Sequence, residues 1–286
     1  MDEQRQPYIP ENVLILDRTN EPPGTEALRS FALDELLCRR AGEGGPAVCH
    51  LWRHPRALVL GLRDSRLPNA AAAARRFAAE GFDVVVRNSG GAAVPLDDGV
   101  VNVSLILPNR QPPSAPAAGS SGFREDFERM CALIGAALAG SGGAIRQGEI
   151  AGAYCPGEFD LSIGGRKFCG IAQRRQAKAR IVQAFVVAEG SGAKRAGLVR
   201  EFYRLAAQDA DPSRYPRVEE TSTASLSELL GIGQGAAAAF AQEVKRALRS
   251  RQSESGLAAA AAALRMPSAD EVRAMAEQLR TRYAIL

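Results

Sequence analysis

The sequence predicts an α+β fold built around one main domain. Three observations lead there. Short apolar segments of strand type crowd the first two thirds of the chain, helical patterns fill the rest, and the two do not alternate as regular βαβ units do. The 286 residues show no internal repeat, and a chain of this length buries enough surface to fold without metal or disulfide staples.

Asn12 to Leu16 (NVLIL) reads as the first short strand, broken by Pro22, Pro23 and Gly24. Thr25 then caps a helix running through Arg40, on which Leu28, Phe31, Ala32, Glu35 and Leu36 form a mostly apolar stripe. Strands follow at Val48 to Arg53 and Leu58 to Leu60, then an alanine-rich helix from Asn69 to Glu80 stopped by Gly81. Phe82 to Arg87 is short and β-branched, hence a strand, and it enters an Asn88-Ser89-Gly90-Gly91 turn. From Val101 to Leu107 apolar residues alternate with Asn102, Ser104 and Ile106, the pattern of a half-buried strand that Pro108 ends.

Arg110 to Gly122 is rich in proline, serine and glycine and is expected to be a mobile loop. Phe123, Phe127, Met130, Cys131, Ile134 and Leu138 mark an amphipathic helix closed by Gly140. Asp160 to Ile163, the Gly164-Gly165 turn and Arg166 to Gln173 form a β-hairpin signal, followed by a strand from Ile181 to Ala188. Beyond about Gly197 the chain reads as helical, with a capping box at Ser268 and Glu271 opening the last helix. Residues 1–220 are expected to form the main domain, with 221–286 a helical extension packed on it.

Composition narrows the function. Hydrophobic residues at 46% and charged residues at 24% exclude a disordered, fibrous or membrane-spanning chain. The 36 basic residues exceed the 32 acidic ones too slightly to suggest a nucleic-acid binder. Five scattered cysteines with no Cys-x-x-Cys, and only His50 and His54 beside them, argue against disulfides and against a metal site. Met1 to Pro10 lacks the apolar core of a signal peptide, so the expected compartment is the cytoplasm, where a free thiol can act as a nucleophile.

Two segments hold chemistry. Arg87 to Val94 (RNSGGAAV) places two glycines after a strand, which either supply positive φ for a hairpin or let backbone amides approach a ligand. It is no phosphate loop, having neither Gly-Lys-Ser/Thr nor Gly-x-Gly-x-x-Gly. The second is Tyr154 to Lys167. Cys155 precedes Pro156-Gly157 and so sits on a turn, whereas Cys131 lies in an apolar helix stripe and reads as core. A two-residue hairpin loop pairs Ile163 with Arg166 and Ser162 with Lys167, which puts Lys167 on one face with Asp160, Ser162 and Cys169. A thiol of ordinary pKa, about 8.5, is only about 3% thiolate at neutral pH, and making it half thiolate costs about 2 kcal/mol. An ammonium at about 4 Å supplies roughly 4 kcal/mol before desolvation, so a lysine suffices and no histidine is needed. Cys169 is the rival nucleophile, pinned in a strand. For His50 and His54, structural work at a strand end competes with pairing to the cysteine.

These segments carry a resemblance. Arg87 to Asp97 (RNSGGAAVPLD), Asn102 to Leu105 (NVSL) and above all the stretch Tyr154 to Arg175 (YCPGEFDLSIGGRKFCGIAQRR) resemble the lipoate–protein ligase and octanoyltransferase family, relatives of biotin–protein ligases, over roughly residues 25–215. Within it the chain looks most like the cysteine-dependent amidotransferases that move an octanoyl group from glycine cleavage system H protein onto other lipoyl domains. The resemblance implies a mixed, largely antiparallel β-sheet flanked by helices. It implies Cys155 as the acyl-thioester nucleophile and Lys167 as the residue that lowers its pKa, with Arg87, Ser89, Gly90, Gly91 and Gly170 along the acyl chain. No cofactor, metal, nucleic acid or membrane is implied.

The partners would be octanoylated H protein as donor and the lipoyl domains of 2-oxoacid dehydrogenase E2 subunits as acceptor. ATP-dependent ligases of the superfamily typically carry His-Asp where this chain has Leu96-Asp97, and they lack a cysteine before the lysine; both departures favour thioester exchange over adenylation. Octanoyl-acyl carrier protein as donor and ATP-dependent lipoate ligation are the alternative enzyme readings, and a non-catalytic acyl-binding module is the alternative of another class. The oxyanion donors are expected near Gly170 or in the glycine turn. Arg174, Arg175, Lys178 and Arg180 form a basic cluster, either a docking face for acidic lipoyl domains or a solvated surface.

Overall fold

β-Branched runs punctuated by glycine and proline turns assemble into two sheets. The computed structural model describes residues 10–21, 26–109 and 121–285. Thr25, expected as a helix cap, and nearly all of the Arg110–Gly122 loop lie outside them. In chain order the elements are β1 (Leu14–Arg18), α1 (Ala27–Gly42), β2 (Val48–Trp52), β3 (Arg56–Leu60), α2 (Ala70–Ala79), β4 (Asp83–Val86), β5 (Val94–Asp97), β6 (Val100–Pro108), α3 (Ser121–Ala137), β7 (Ile145–Gln147), β8 (Leu161–Ile163), β9 (Arg166–Arg175), β10 (Ala179–Val187), α4 (Gly192–Ala207), α5 (Leu226–Leu230), α6 (Ala236–Arg249), α7 (Glu254–Ala263) and α8 (Ala269–Arg282).

The larger sheet has seven strands in the order β1-β2-β6-β10-β9-β8-β7, and the smaller has three, β4-β3-β5. β1 pairs parallel with β2 and β3 parallel with β4, while the remaining pairs are antiparallel. The fold is therefore α+β, with mixed and largely antiparallel sheets.

Helices cover the large sheet on both faces. Val101, Val103, Leu105 and Leu107 of β6 join Met130, Leu133 and Ile134 of α3 and Phe240, Val244 and Leu248 of α6 in one apolar cluster. On the other face Ile106 packs with Leu33, Leu37 and Cys38 of α1, and α8 lies against α1. Helices α2 and α4 close over the small sheet, bringing Phe77, Val199 and Phe202 onto Val59, Val85 and Val94. The Ser268–Glu271 capping box opens α8 as expected.

Strand β6 corrects one expectation. Its alternation is real, yet the strand is buried on both faces, because α3 and α6 cover its apolar side and α1 packs on the other. The first helix starts against a distant partner, the Ala27 amide donating to the Asp83 carboxylate of β4 at 2.7 Å. Strands β5 and β7 carry little sequence signal. Proline in β5 is tolerated because β5 is an edge strand.

Candidate active site

Between the sheets lies a cavity of about 470 Å³, counting the part open to solvent. The large sheet contributes Asn102, Ser104, Gly170, Ile171, Gln183 and Phe185, and the small sheet side contributes Val59, Arg87, Ser89, Val94 and Leu96. Phe31, Trp52 and Cys155 also line it. The wall is mostly apolar, and a thiol stands on it. Of the residues expected along an acyl chain, Arg87, Ser89 and Gly170 line this space. Gly91 stands against Cys155, while nothing lies within 4 Å of where a Gly90 side chain would begin.

Cys155 is held in an unusual way. Its φ is +48°, a left-handed conformation rare for a residue with a side chain. The Lys167 ammonium fixes that turn, donating to the Tyr154 carbonyl at 2.9 Å and to the Cys155 carbonyl at 2.5 Å. Lys167 is fully buried and also forms an ion pair with Asp160 at 2.7 Å. The sequence expectation put the lysine charge on the sulfur. The structure brings Lys167 to Cys155, but the ammonium contacts are two carbonyls and a carboxylate.

The sulfur has other partners. The Ala92 amide donates to Sγ at 3.3 Å and Arg87 Nη2 at 3.5 Å. Arg87 also donates to the carbonyls of Gly90 at 3.0 Å, Ala92 at 2.7 Å and Val59 at 3.4 Å, tying the glycine turn to β3. Two further networks hold the turn. Glu35 on α1 pairs with Arg174 at 2.7 Å, and Asn88 donates to it at 3.1 Å while accepting from Arg174 at 3.2 Å. Burial works to raise the Glu35 carboxyl, but the hydrogen bond and charge of Arg174 outweigh it and hold the group below its ordinary value. At the far end the Ala93 amide donates to the Tyr203 hydroxyl at 3.1 Å, which itself donates to Asp64 at 2.9 Å.

Gly91 has no alternative here. Its φ is +100°, and a Cβ would stand 2.5 Å from Arg87 Nη2 and 2.8 Å from Cys155 Sγ. Gly91→Ala is expected to cost about 1–2 kcal/mol of stability and, by displacing both groups, about 10²-fold in transfer rate. Activity within a few-fold of wild type, measured on folded protein, would refute this arrangement. Gly170 is constrained by space alone, since a Cβ would meet the Phe185 ring at 2.5 Å.

The hairpin forms in the expected register, Ile163 opposite Arg166 and Ser162 opposite Lys167. A bulge then shifts the pairing so that Leu161 faces Cys169, which turns Cys169 away from the Lys167 face and into the apolar cluster under α3. Its thiol is fully buried, and burial drives it well above the ordinary value, so the rival nucleophile is disfavoured. Cys38 and Cys131 are likewise pushed up to about 12, by burial first. His50, buried on β2, bonds Asp34 of α1 at 2.8 Å, and His54 lies 3.7 Å from Asp83, so both do structural work. Among the described residues no cluster of three or more potential metal ligands occurs and no helix is long and apolar enough to cross a membrane.

Sequence reasoning missed Asp34, whose buried carboxylate accepts from Ser104 at 2.6 Å and Gln183 at 2.9 Å, two residues of the cavity wall. It also gave Asp160 no role. Burial pushes the Asp160 carboxyl up from 3.8 to about 6, although Lys167 and the Gly157 amide pull the other way. The folded state therefore holds a proton more tightly than the unfolded chain. The stability this group contributes is whole below about pH 4 and is lost as pH rises through about 6, a change of roughly 3 kcal/mol. Asp160→Asn removes that dependence. In urea titrations the unfolding free energy of wild type minus that of the variant should fall over this interval, and a constant difference would refute the assignment.

Three of the four residues of the basic cluster are committed internally. Arg174 pairs with Glu35, while Arg175 and Arg180 both reach Asp126 at 2.7 Å.

Comparison with known proteins places the chain in a family. Residues 26–250 match the lipoyl protein ligase A/B catalytic domain. An octanoyl-[GcvH]:protein N-octanoyltransferase of Geobacillus kaustophilus (strain HTA426) is 46% identical over 219 residues, 76% of this chain and 75% of that protein. One of the same name from Bacillus velezensis (strain DSM 23117 / BGSC 10A6 / LMG 26770 / FZB42) is 42% identical over 222 residues, 76% of this chain and 74% of its own. A crystal structure of lipoate-protein ligase A bound with ATP superposes with a TM-score of 0.58 over 95% of each chain, at 20% identity, a likeness of fold. The chain belongs to the lipoyl protein ligase A/B catalytic domain family.

Proposed function

We propose that the protein is a cytoplasmic amidotransferase that carries an octanoyl group from the lysine of octanoylated glycine cleavage system H protein to lysines of E2 lipoyl domains, through a thioester on Cys155. The observation that carries this reading is the Cys155 sulfur on the wall of a largely apolar cavity, within reach of an amide and a guanidinium. The names of the two bacterial relatives support the donor.

The Cys155 thiolate attacks the amide carbonyl carbon of the octanoyl-lysine. A carbon–sulfur bond forms and the carbonyl π pair moves to oxygen. Collapse breaks the carbon–nitrogen bond, the departing lysine takes a proton from water, and the thioester remains. The acceptor lysine attacks as free amine, sulfur leaves as thiolate, and nitrogen returns a proton to water. Exchange between two lysine amides is nearly neutral in free energy, so no ATP is consumed. The acyl chain lies along Ser89, Gly91 and Gly170. Lys167 is a positioning residue, holding the Cys155 carbonyl and with it the direction of the sulfur.

A donor comparison tests the proposal. Octanoylated H protein should support acyl transfer to an E2 lipoyl domain without ATP, and octanoyl-acyl carrier protein should not. Turnover with the carrier protein but not H protein, or a requirement for ATP and free lipoate, would overturn it.

A further inference from the structure

Two buried cations flank Cys155, and they differ in their anions. Lys167 has Asp160 at 2.7 Å. Arg87 is 6% exposed, yet among the described residues no carboxylate forms an ion pair with it; its guanidinium contacts are three neutral carbonyls and Cys155 Sγ. Asp64 feels its charge at longer range but bonds instead to the Gly61 amide and the Tyr203 hydroxyl. A buried charge without a counter-ion is costly, and a guanidinium cannot shed its proton to escape that cost.

We propose that the counter-ion of Arg87 is the Cys155 thiolate, and that Arg87 is a catalytic residue following the negative charge from sulfur to oxygen. The inference rests on Cys155 being the nucleophile. In the addition step the thiolate electron pair becomes the carbon–sulfur bond and the carbonyl π pair becomes a lone pair on oxygen, so one negative charge moves by about a bond length. Arg87 Nη2 and the Ala92 amide, which hold the sulfur before attack, are then the donors nearest the new oxyanion. The Ala92 carbonyl accepts from the same Nη2 at 2.7 Å, which fixes the guanidinium relative to the amide.

Alkylation of Cys155 by iodoacetamide, followed by peptide mapping across pH, tests the counter-ion without any acyl donor. Arg87→Gln keeps a donor for the turn carbonyls but removes the charge. Its Cys155 should alkylate about tenfold more slowly than wild type at pH 7, and the rates should converge at high pH where both thiols are ionised. Arg87→Lys, retaining the charge, should stay within about threefold of wild type at pH 7. A deficit below about threefold in Arg87→Gln, or one that persists unchanged at high pH as blocked access would, overturns the proposal. Should Arg87→Gln fail to fold, Arg87→Lys decides by the same threefold limit. Wild-type Cys155 that alkylates as expected yet never takes an octanoyl group from H protein would instead defeat the amidotransferase reading.

Discussion

Cys155→Ala is expected to abolish octanoyl transfer, by at least about 10⁴-fold, and to remove the covalent adduct that intact mass spectrometry should detect on the wild-type protein after incubation with octanoylated H protein. The size of the effect follows from the chemistry. Without the sulfur the amide must be attacked directly by the acceptor amine, with neither a thioester to divide the barrier nor a path for charge past Arg87 and the Ala92 amide. The remaining cysteines do not substitute. Cys38, Cys49 and Cys169 are sealed at 0% exposure, and burial raises their thiols. Cys131 lies on α3, where burial likewise raises it. Serine at position 155 should fare little better, because a hydroxyl is far harder to ionise than a thiol. An adduct of unchanged mass in Cys155→Ala would move the chemistry elsewhere and overturn the mechanism.

Much of this site is legible in the sequence because its parts are local. The Gly164-Gly165 turn sets the β8–β9 register, the turn at Pro156-Gly157 takes Cys155 out of any regular element, and the glycines after β4 mark a close approach. What stays hidden depends on partners far along the chain. Asp34 and Glu35 sit on α1 among apolar neighbours, and partners distant in sequence explain their burial: His50, Ser104 and Gln183 for Asp34, Asn88, Arg174 and Gln176 for Glu35. The bulge opposite Leu161, which separates Cys169 from Lys167, has no glycine to announce it. The atoms that the ammonium touches stayed hidden for the same reason. Strand pairing placed Lys167 near Cys155, but the choice between sulfur and carbonyl depends on a turn conformation that no spacing rule supplies.

The second large effect concerns stability. Lys167→Met leaves Asp160 buried at 1% exposure with its cation gone, and losing one partner of such a pair typically costs 3–5 kcal/mol, here about the same. The loss should be larger at about pH 8 than at about pH 5, since a lone Asp160 escapes the cost by binding a proton that is scarcer at high pH. The pair itself contributes little net stability, as the raised Asp160 carboxyl indicates: desolvation outweighs the attraction. Replacing both partners by apolar residues, Lys167→Met with Asp160→Leu, should therefore recover most of the stability lost in the single variant. It should not recover transfer, because the carbonyls of Tyr154 and Cys155 lose the donor that holds the left-handed turn at φ +48°. Chemical denaturation and transfer assays on the single and double variants separate the two roles. A double variant that regains both stability and activity would show that Lys167 serves only to neutralise Asp160.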